Sequence, residues 1–121
     1  MTWTVEYHPE YLAELKNEAR AVQVAVIAAA GVLRQLGPLL SRPRVDTLNG
    51  SSYPNMKELR ISLPDGEWRI AFAFDPRRRA ILLTGSSKSG TPQTKFYERL
   101  IRVADRRFAD HLAKLKDKGD S

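Results

Sequence analysis

Glu58 and Arg60 stand two residues apart in an alternating run, and Arg69 opens the next such run. Lys88 sits in the small-residue loop Gly85-Ser86-Ser87-Lys88-Ser89-Gly90, and Tyr97 follows in a helical segment. These types suit metal-free cleavage of RNA. A ribose 2′-hydroxyl attacks the adjacent phosphate when a base takes its proton, cations stabilise the developing charge and an acid protonates the leaving oxygen. Arg60, Arg69 and Lys88 would bind and stabilise the phosphate, since arginine suits bidentate phosphate contacts. Glu58 would be a base, and Tyr97 a proton donor or a surface on which a nucleobase stacks. A structural reading stands beside each role: a cross-strand ion pair for Glu58 and Arg60, and core packing of the last helix for Tyr97.

Other chemistry finds less support. The histidines are only His8 and His111, and no His/Asp/Glu group has ligand spacing along the chain, so neither a metal nor a cofactor is expected. The absence of cysteine excludes disulfides, thiolate metal sites and a thiol nucleophile. The 85–90 loop fails the spacing of a phosphate-binding P-loop and precedes a helix in the wrong context. Arg77, Arg78 and Arg79 follow Asp75-Pro76 at a hairpin tip. They are a solvated turn or, functionally, contacts to an RNA backbone that choose no sequence.

These groups need elements to hold them. Leu59, Ile61 and Leu63 alternate with polar residues, and Arg69 to Phe74 and Ala80 to Thr84 are rich in strand-favouring types. Pro64-Asp65-Gly66 and Asp75-Pro76 turn the chain between them. The connections are too short for a parallel crossover, so the three strands form an antiparallel meander, with one face for a core and the other for solvent. Thr2 to Tyr7 read as a first strand ended by His8-Pro9. From Glu10 to Leu36 the period is helical: Leu12, Leu15, Ala19, Val22, Val26, Ala30, Leu33 and Leu36 share a face, with Asn17 as a dividing point. Gly37-Pro38 stops it. Val45 to Leu48 form a short strand or an extended connection. Phe96 to Lys118 return to a helical period through Tyr97, Ile101, Ala104, Phe108, Leu112 and Leu115, and Asp117 to Ser121 read as a frayed tail. The expectation is one α+β domain over 1–121, with the helices packed on one face of an antiparallel sheet.

The formal charge of +6 is uneven: residues 1–41 carry −1 and residues 42–121 carry +7. That suits a polyanionic partner for the second part, or simply a solubilising surface. The start has no basic n-region or apolar h-region, and the apolar run Val24 to Leu33 is too short to cross a bilayer, so neither secretion nor a membrane is expected.

Pro54 to Arg60, Trp68-Arg69-Ile70, Phe72 to Asp75, Ala80 to Leu83 and Lys88 resemble the HigB-type, phage-derived branch of the RelE/ParE toxin superfamily. Phe96-Tyr97-Glu98, Ala104 to Phe108 with His111-Leu112, and Leu36-Gly37-Pro38 are similar to its remaining pattern. The resemblance covers nearly the whole chain. It implies a RelE-like fold, with a sheet packed against two N-terminal helices and a C-terminal helix. It also implies a cytoplasmic toxin of a type II toxin–antitoxin pair that cleaves mRNA on the ribosome without cofactor or metal. By position, Arg69 matches the arginine that stabilises the scissile phosphate, Lys57 and Arg60 fall where the family places basic residues, Lys88 takes the basic position after the next strand, and Tyr97 falls near a tyrosine used by some members. Glu58 stands where several ribonuclease members have lysine. His111 has no transferred role. A helix-turn-helix antitoxin is the implied partner, and Arg99, Arg102 and Arg106 on the last helix are the face expected to meet it. The alternatives are a ParE-like gyrase poison or a non-catalytic nucleic-acid-binding or adaptor domain, because the fold does not set the activity.

Overall fold

Five strands, β1 (Thr4–Tyr7), β2 (Val45–Thr47), β3 (Lys57–Leu63), β4 (Gly66–Phe74) and β5 (Arg79–Ser87), make one sheet in the order β1-β5-β4-β3-β2. The computed structural model describes residues 2–117 of the chain. The expected meander is present: β3 and β4 pair antiparallel with Arg60 opposite Arg69, and β4 and β5 pair with Phe72 opposite Leu82. Gly66 makes the tight β3–β4 turn possible, since its φ of 139° lies where a side chain is strained. The sheet is mixed, however. β1 runs parallel to β5, with Val5 opposite Ala80, because the intervening helices and strands supply the long crossover that a parallel pair needs.

Helix α1 (Pro9–Lys16) ends on Asn17, as the sequence suggests, and α2 (Arg20–Leu36) follows. Gln23 holds the corner between them by donating from its side-chain amide to the carbonyls of Leu15 and Lys16 at 3.0 and 3.1 Å. Val22, Val26, Ala30 and Leu33 pack α2 onto Leu59, Ile70, Phe72 and Leu82. Leu12 and Leu36, expected on that stripe, are exposed at its ends.

Helix α3 (Gln93–Asp117) lies on the opposite face, where Phe96, Leu100, Ala104 and Phe108 meet Met56, Ala71, Ala73, Ile81 and Leu83. This corrects the one-sided arrangement. Strand β4 presents Ile70 and Phe72 to α2 and the small Ala71 and Ala73 to α3, so it is buried on both faces and a helix can approach closely on the second. The expected end of α3 at Lys118 and most of the expected frayed tail lie outside the described residues. The segment Arg20–Leu39 is long and apolar enough to cross a membrane by length and composition, longer than the run seen in sequence. Here its inner stripe packs on the sheet, with Val24 and Ile27 exposed on its outer side.

His8 joins β1 to α1. Its Nδ1 accepts the Glu10 amide at 3.1 Å, capping α1. Burial pushes the imidazole below the ordinary histidine range; Glu10 and Asp110 oppose this, while Arg107 and Lys114 reinforce it. A depressed folded-state value means that His8 contributes stability above the unfolded pKa and loses it as pH falls through the folded one. Thermal stability should therefore fall as pH drops below the ordinary histidine range. Melting curves of His8→Asn, which retains a cap without a titrating ring, should lose that part of the slope, and an unchanged pH profile would assign it to another group.

Candidate active site

Strand alternation places Glu58 and Arg60 of β3 and Arg69 of β4 on the face that α3 covers. Direct register sets Arg60 opposite Arg69, an arrangement that is unfavourable for like charges unless something lies between them. Glu58 does. Its side chain is only 5% exposed. Oε2 accepts from Arg60 Nε and Nη2 at 3.1 and 3.0 Å, and Oε1 lies 3.8 Å from Arg69 Nε. The Tyr97 hydroxyl, arriving on α3, donates to Oε1 at 2.7 Å. Lys88 completes the group, with Nζ 5.5 Å from the centre of the Tyr97 ring and its backbone amide tied to the Glu67 carbonyl at 2.8 Å.

Two arginines and a phenol thus meet around one buried carboxylate, with Lys88 over the phenol ring, beside a groove of about 350 Å³ lined by Asp46, Asn49, Glu58, Arg60, Gln93 and Tyr97 among others. Burial, with the Glu58 bond second, holds the Tyr97 phenol above the ordinary tyrosine range, so it is protonated at neutral pH. Arg69 is 8% exposed and directs Nη1 to the Trp68 carbonyl at 3.0 Å and to Glu67 at 3.3 Å. Its Nε–H is buried without a hydrogen-bond acceptor. Such an unmet donor is costly in a folded protein and is a common mark of a working site. Both oxygens of the carboxylate are thus engaged. In this state Glu58 acts first as the anchor of its neighbours; its ion pair with Arg60 runs along β3, and the cross-strand contact is the one to Arg69.

Asp46 and Glu67 escaped the sequence reading. Asp46 accepts from Arg60 at 3.4 Å and from Arg42 at 3.1 Å, and the Thr47 amide, then Arg42, hold it below the usual carboxylate range. Asp46 reaches Arg60 only through strand pairing, whereas Glu67 meets Arg69 within β4.

The remaining candidates lie elsewhere. Lys57 shares its face of β3 with Leu59 and Ile61, opposite to Glu58, so the alternation that gathers Glu58 and Arg60 separates Lys57 from them. Arg77, Arg78 and Arg79 occupy the far end of the β4–β5 ladder from Arg69. Arg79 is held by the buried Asp75 at 2.9 Å and by Glu6 at 3.3 Å, and the Arg78 guanidinium lies 4.7 Å from the Trp3 ring centre. His111, expected in solvent, bonds Asp75 at 2.8 Å. On α3, Arg99 and Arg102 are exposed, while Arg106 is paired with Glu10 at 3.1 Å and Asp110 at 3.5 Å. The fold also gathers His8, Glu10 and Asp110, whose ligand atoms lie within 4.8 Å of one another. The chain order hides that cluster, because Asp110 arrives from α3. Arg106 already supplies positive charge to two of its members.

Residues 10–109 match the family described as phage-derived Gp49-like protein. The chain is 44% identical over 116 residues to the protein named toxin HigB2 of Mycobacterium tuberculosis, covering 95% of this chain and 57% of that protein. It is 45% identical over 95 residues to the protein named toxin HigB3 of the same organism, covering 78% and 80%. The chain thus spans little more than half the length of the first of these relatives. Among solved structures it is similar to a mutant of E. coli toxin RelE in the free state, with a TM-score of 0.55 at 11% identity over 84% of this chain and 96% of that one. It is also similar to a chain of the archaeal RelE–RelB complex from Pyrococcus horikoshii, with a TM-score of 0.53 at 19% identity over 75% and 100%. At these identities the likeness is one of fold, and the fold is RelE-like.

Proposed function

The chain belongs to the phage-derived Gp49-like family, and from that premise we propose that it is the toxin of a type II toxin–antitoxin pair, acting in the cytoplasm by ribosome-dependent, metal-independent cleavage of mRNA. The observation that carries this reading is the convergence of Arg60, Arg69 and Tyr97 on Glu58 beside an open groove, with Lys88 over the Tyr97 ring. An incoming phosphate competes with Glu58 for the two guanidinium groups. As they turn to the phosphate, the carboxylate gives up its guanidinium contacts and its oxygens are open to a proton. The 2′-hydroxyl then passes its proton to the Tyr97 oxygen while the Tyr97 proton moves to Glu58. The 2′-oxygen bonds to phosphorus, the bond to the 5′-oxygen breaks, and Lys88 protonates the leaving oxygen. Arg60 and Arg69 stabilise the charge on the phosphoryl oxygens.

The groove is shallow and the resting pairs are intact, so orientation of the attacking sugar must come from outside, and the ribosome supplies it. Cleavage by the purified protein should be fast on mRNA bound to translating ribosomes and slower by about 10²-fold or more on naked transcript. Treating the protein alone with EDTA before mixing should change neither rate. Equal cleavage of naked RNA, or loss of activity after that treatment, would overturn the mechanism. Intact transcripts with blocked DNA replication would move the assignment to gyrase poisoning.

The partner in this reading is a helix-turn-helix antitoxin. A groove lined by His8 and Pro9 at the start of α1, by Arg79 and Ile81 of the sheet and by His111, Lys114 and Leu115 of α3 is one surface open to such a partner. Of the three arginines, exposed Arg99 and Arg102 make no ion pair among the described residues, whereas Arg106 is engaged by Glu10. Charge reversal of Arg99 and Arg102 should weaken antitoxin capture and flatten its salt dependence. Unchanged affinity in titration calorimetry would place the antitoxin on another surface.

A further inference from the structure

A second groove opens on the other side of Tyr97. Its volume is about 500 Å³, and it shares Asn49, Gln93 and Tyr97 with the groove that holds Glu58 and Arg60. Its character differs. Ile101, Thr94 and the ring of Tyr97 form its walls and Gly50 its floor. The side-chain amides of Asn49 and Gln93 make no hydrogen bond among the described residues, so both offer donors and acceptors to a ligand.

The groove is built in advance. The loop carrying Asn49 and Gly50 is clamped to α3 by Asp105, which accepts from the Ser51 hydroxyl and from the Ser52 amide at 2.9 Å. Tyr53 packs edge-on against Phe108 at 5.0 Å. Gly50 has a φ of 100°, and a Cβ there would already be in contact with Ile101 at 3.7 Å, so a side chain at this position would strain the loop and narrow the floor. A slot lined by Tyr97 and Ile101 with two unpaired amides, flanked by Glu98 and Arg102 and joined to the groove that holds Arg60, has the chemistry of a nucleobase site: the walls take the ring and the amides read its edge.

We propose that the groove between the 49–53 loop and the start of α3 receives a nucleobase flanking the scissile phosphate, with Asn49 and Gln93 selecting which base. The inference rests on the ribonuclease reading of the adjoining site and adds to it the origin of sequence preference. Asp105 is a positioning residue, acting through the loop.

The test uses dinucleoside monophosphates blocked by a 2′-O-methyl group and differing only in one base, titrated into the isotopically labelled full chain. Amide signals of Gly50, Thr94 and Ile101 should shift on binding, and one base should bind about tenfold better than the poorest. The double variant Asn49→Ala, Gln93→Ala, first confirmed to melt like the parent, should bind all bases alike while keeping phosphate-driven shifts near Lys88. Equal affinity for all four bases in the parent, or a preference unaltered in the variant, overturns the proposal. So does movement of these signals with the antitoxin but not with any nucleotide, which would make the groove a protein-binding surface. Base-selective binding without cleavage of ribosome-bound mRNA would preserve the pocket and remove the ribonuclease reading. Cleavage with the same preference in parent and variant would do the reverse.

Discussion

Replacing Arg69 with alanine should abolish growth inhibition on induced expression and lower ribosome-dependent cleavage by about 10²–10³-fold, the usual cost of losing one transition-state donor. The fold should survive. Without Arg69, Glu58 keeps Arg60 at 3.0 Å and Tyr97 at 2.7 Å, so no buried carboxylate is orphaned, and the like-charge pair across β3 and β4 disappears. Arg69→Lys separates charge from geometry, because an ammonium at that depth cannot reproduce the guanidinium fork; it should recover only a small part of the rate. Primer extension on cellular transcripts reads the activity, and a thermal melt of the purified variant reads the fold. An Arg69→Ala protein that stays toxic at parental levels would remove Arg69 from the chemistry.

Replacing Glu58 with alanine should unsettle the protein itself. Its carboxylate lies between two arginines in direct register, one of them buried, and removing one partner of a buried ion pair costs about 3–5 kcal/mol. For a chain of this size that is a fall in Tm on the order of 10–20 °C. Activity falls with it, and the two effects must be parted. Glu58→Leu combined with Arg69→Met replaces the pair by apolar groups of similar volume and should recover most of the stability while remaining inactive. Tyr97→Phe keeps the ring and removes the proton path to Glu58, so its melt should stay near that of the parent while the rate drops by about 10²-fold. If Glu58→Ala melts with the parent, the carboxylate is not the hub of this site. If Tyr97→Phe cleaves at the parental rate, the relay is wrong.

Much of the scaffold under these residues is written in local pattern. A two-residue period through Leu59, Ile61 and Leu63 and the strand-favouring run Arg69–Phe74, joined by Pro64-Asp65-Gly66, leave the chain one way to go, so β3 and β4 pair antiparallel and Glu58 and Arg60 must share a face. The helical period with its break at Asn17 and its stop at Gly37-Pro38 likewise determines α1 and α2 without reference to the rest of the chain. Periodicity says which residues share a face, not what covers it. That α3 lies opposite α2 followed only from packing, through small Ala71 and Ala73 on one side of β4 and large Ile70 and Phe72 on the other. From this came the results the pattern could not contain. Tyr97 reaches Glu58 across 39 residues, the parallel β1 brings Glu6 to Arg79, and Asp75 takes up His111 and Arg79 at the far end of the sheet. Lys57, adjacent to Glu58 in the chain, is turned to the other face by the pleat. Residue type and spacing determined which side chains could do the chemistry. Only tertiary contacts decided which of them meet, because an ion pair or a proton path depends on groups brought within about 3 Å, and the elements that bring them there are far apart in the chain.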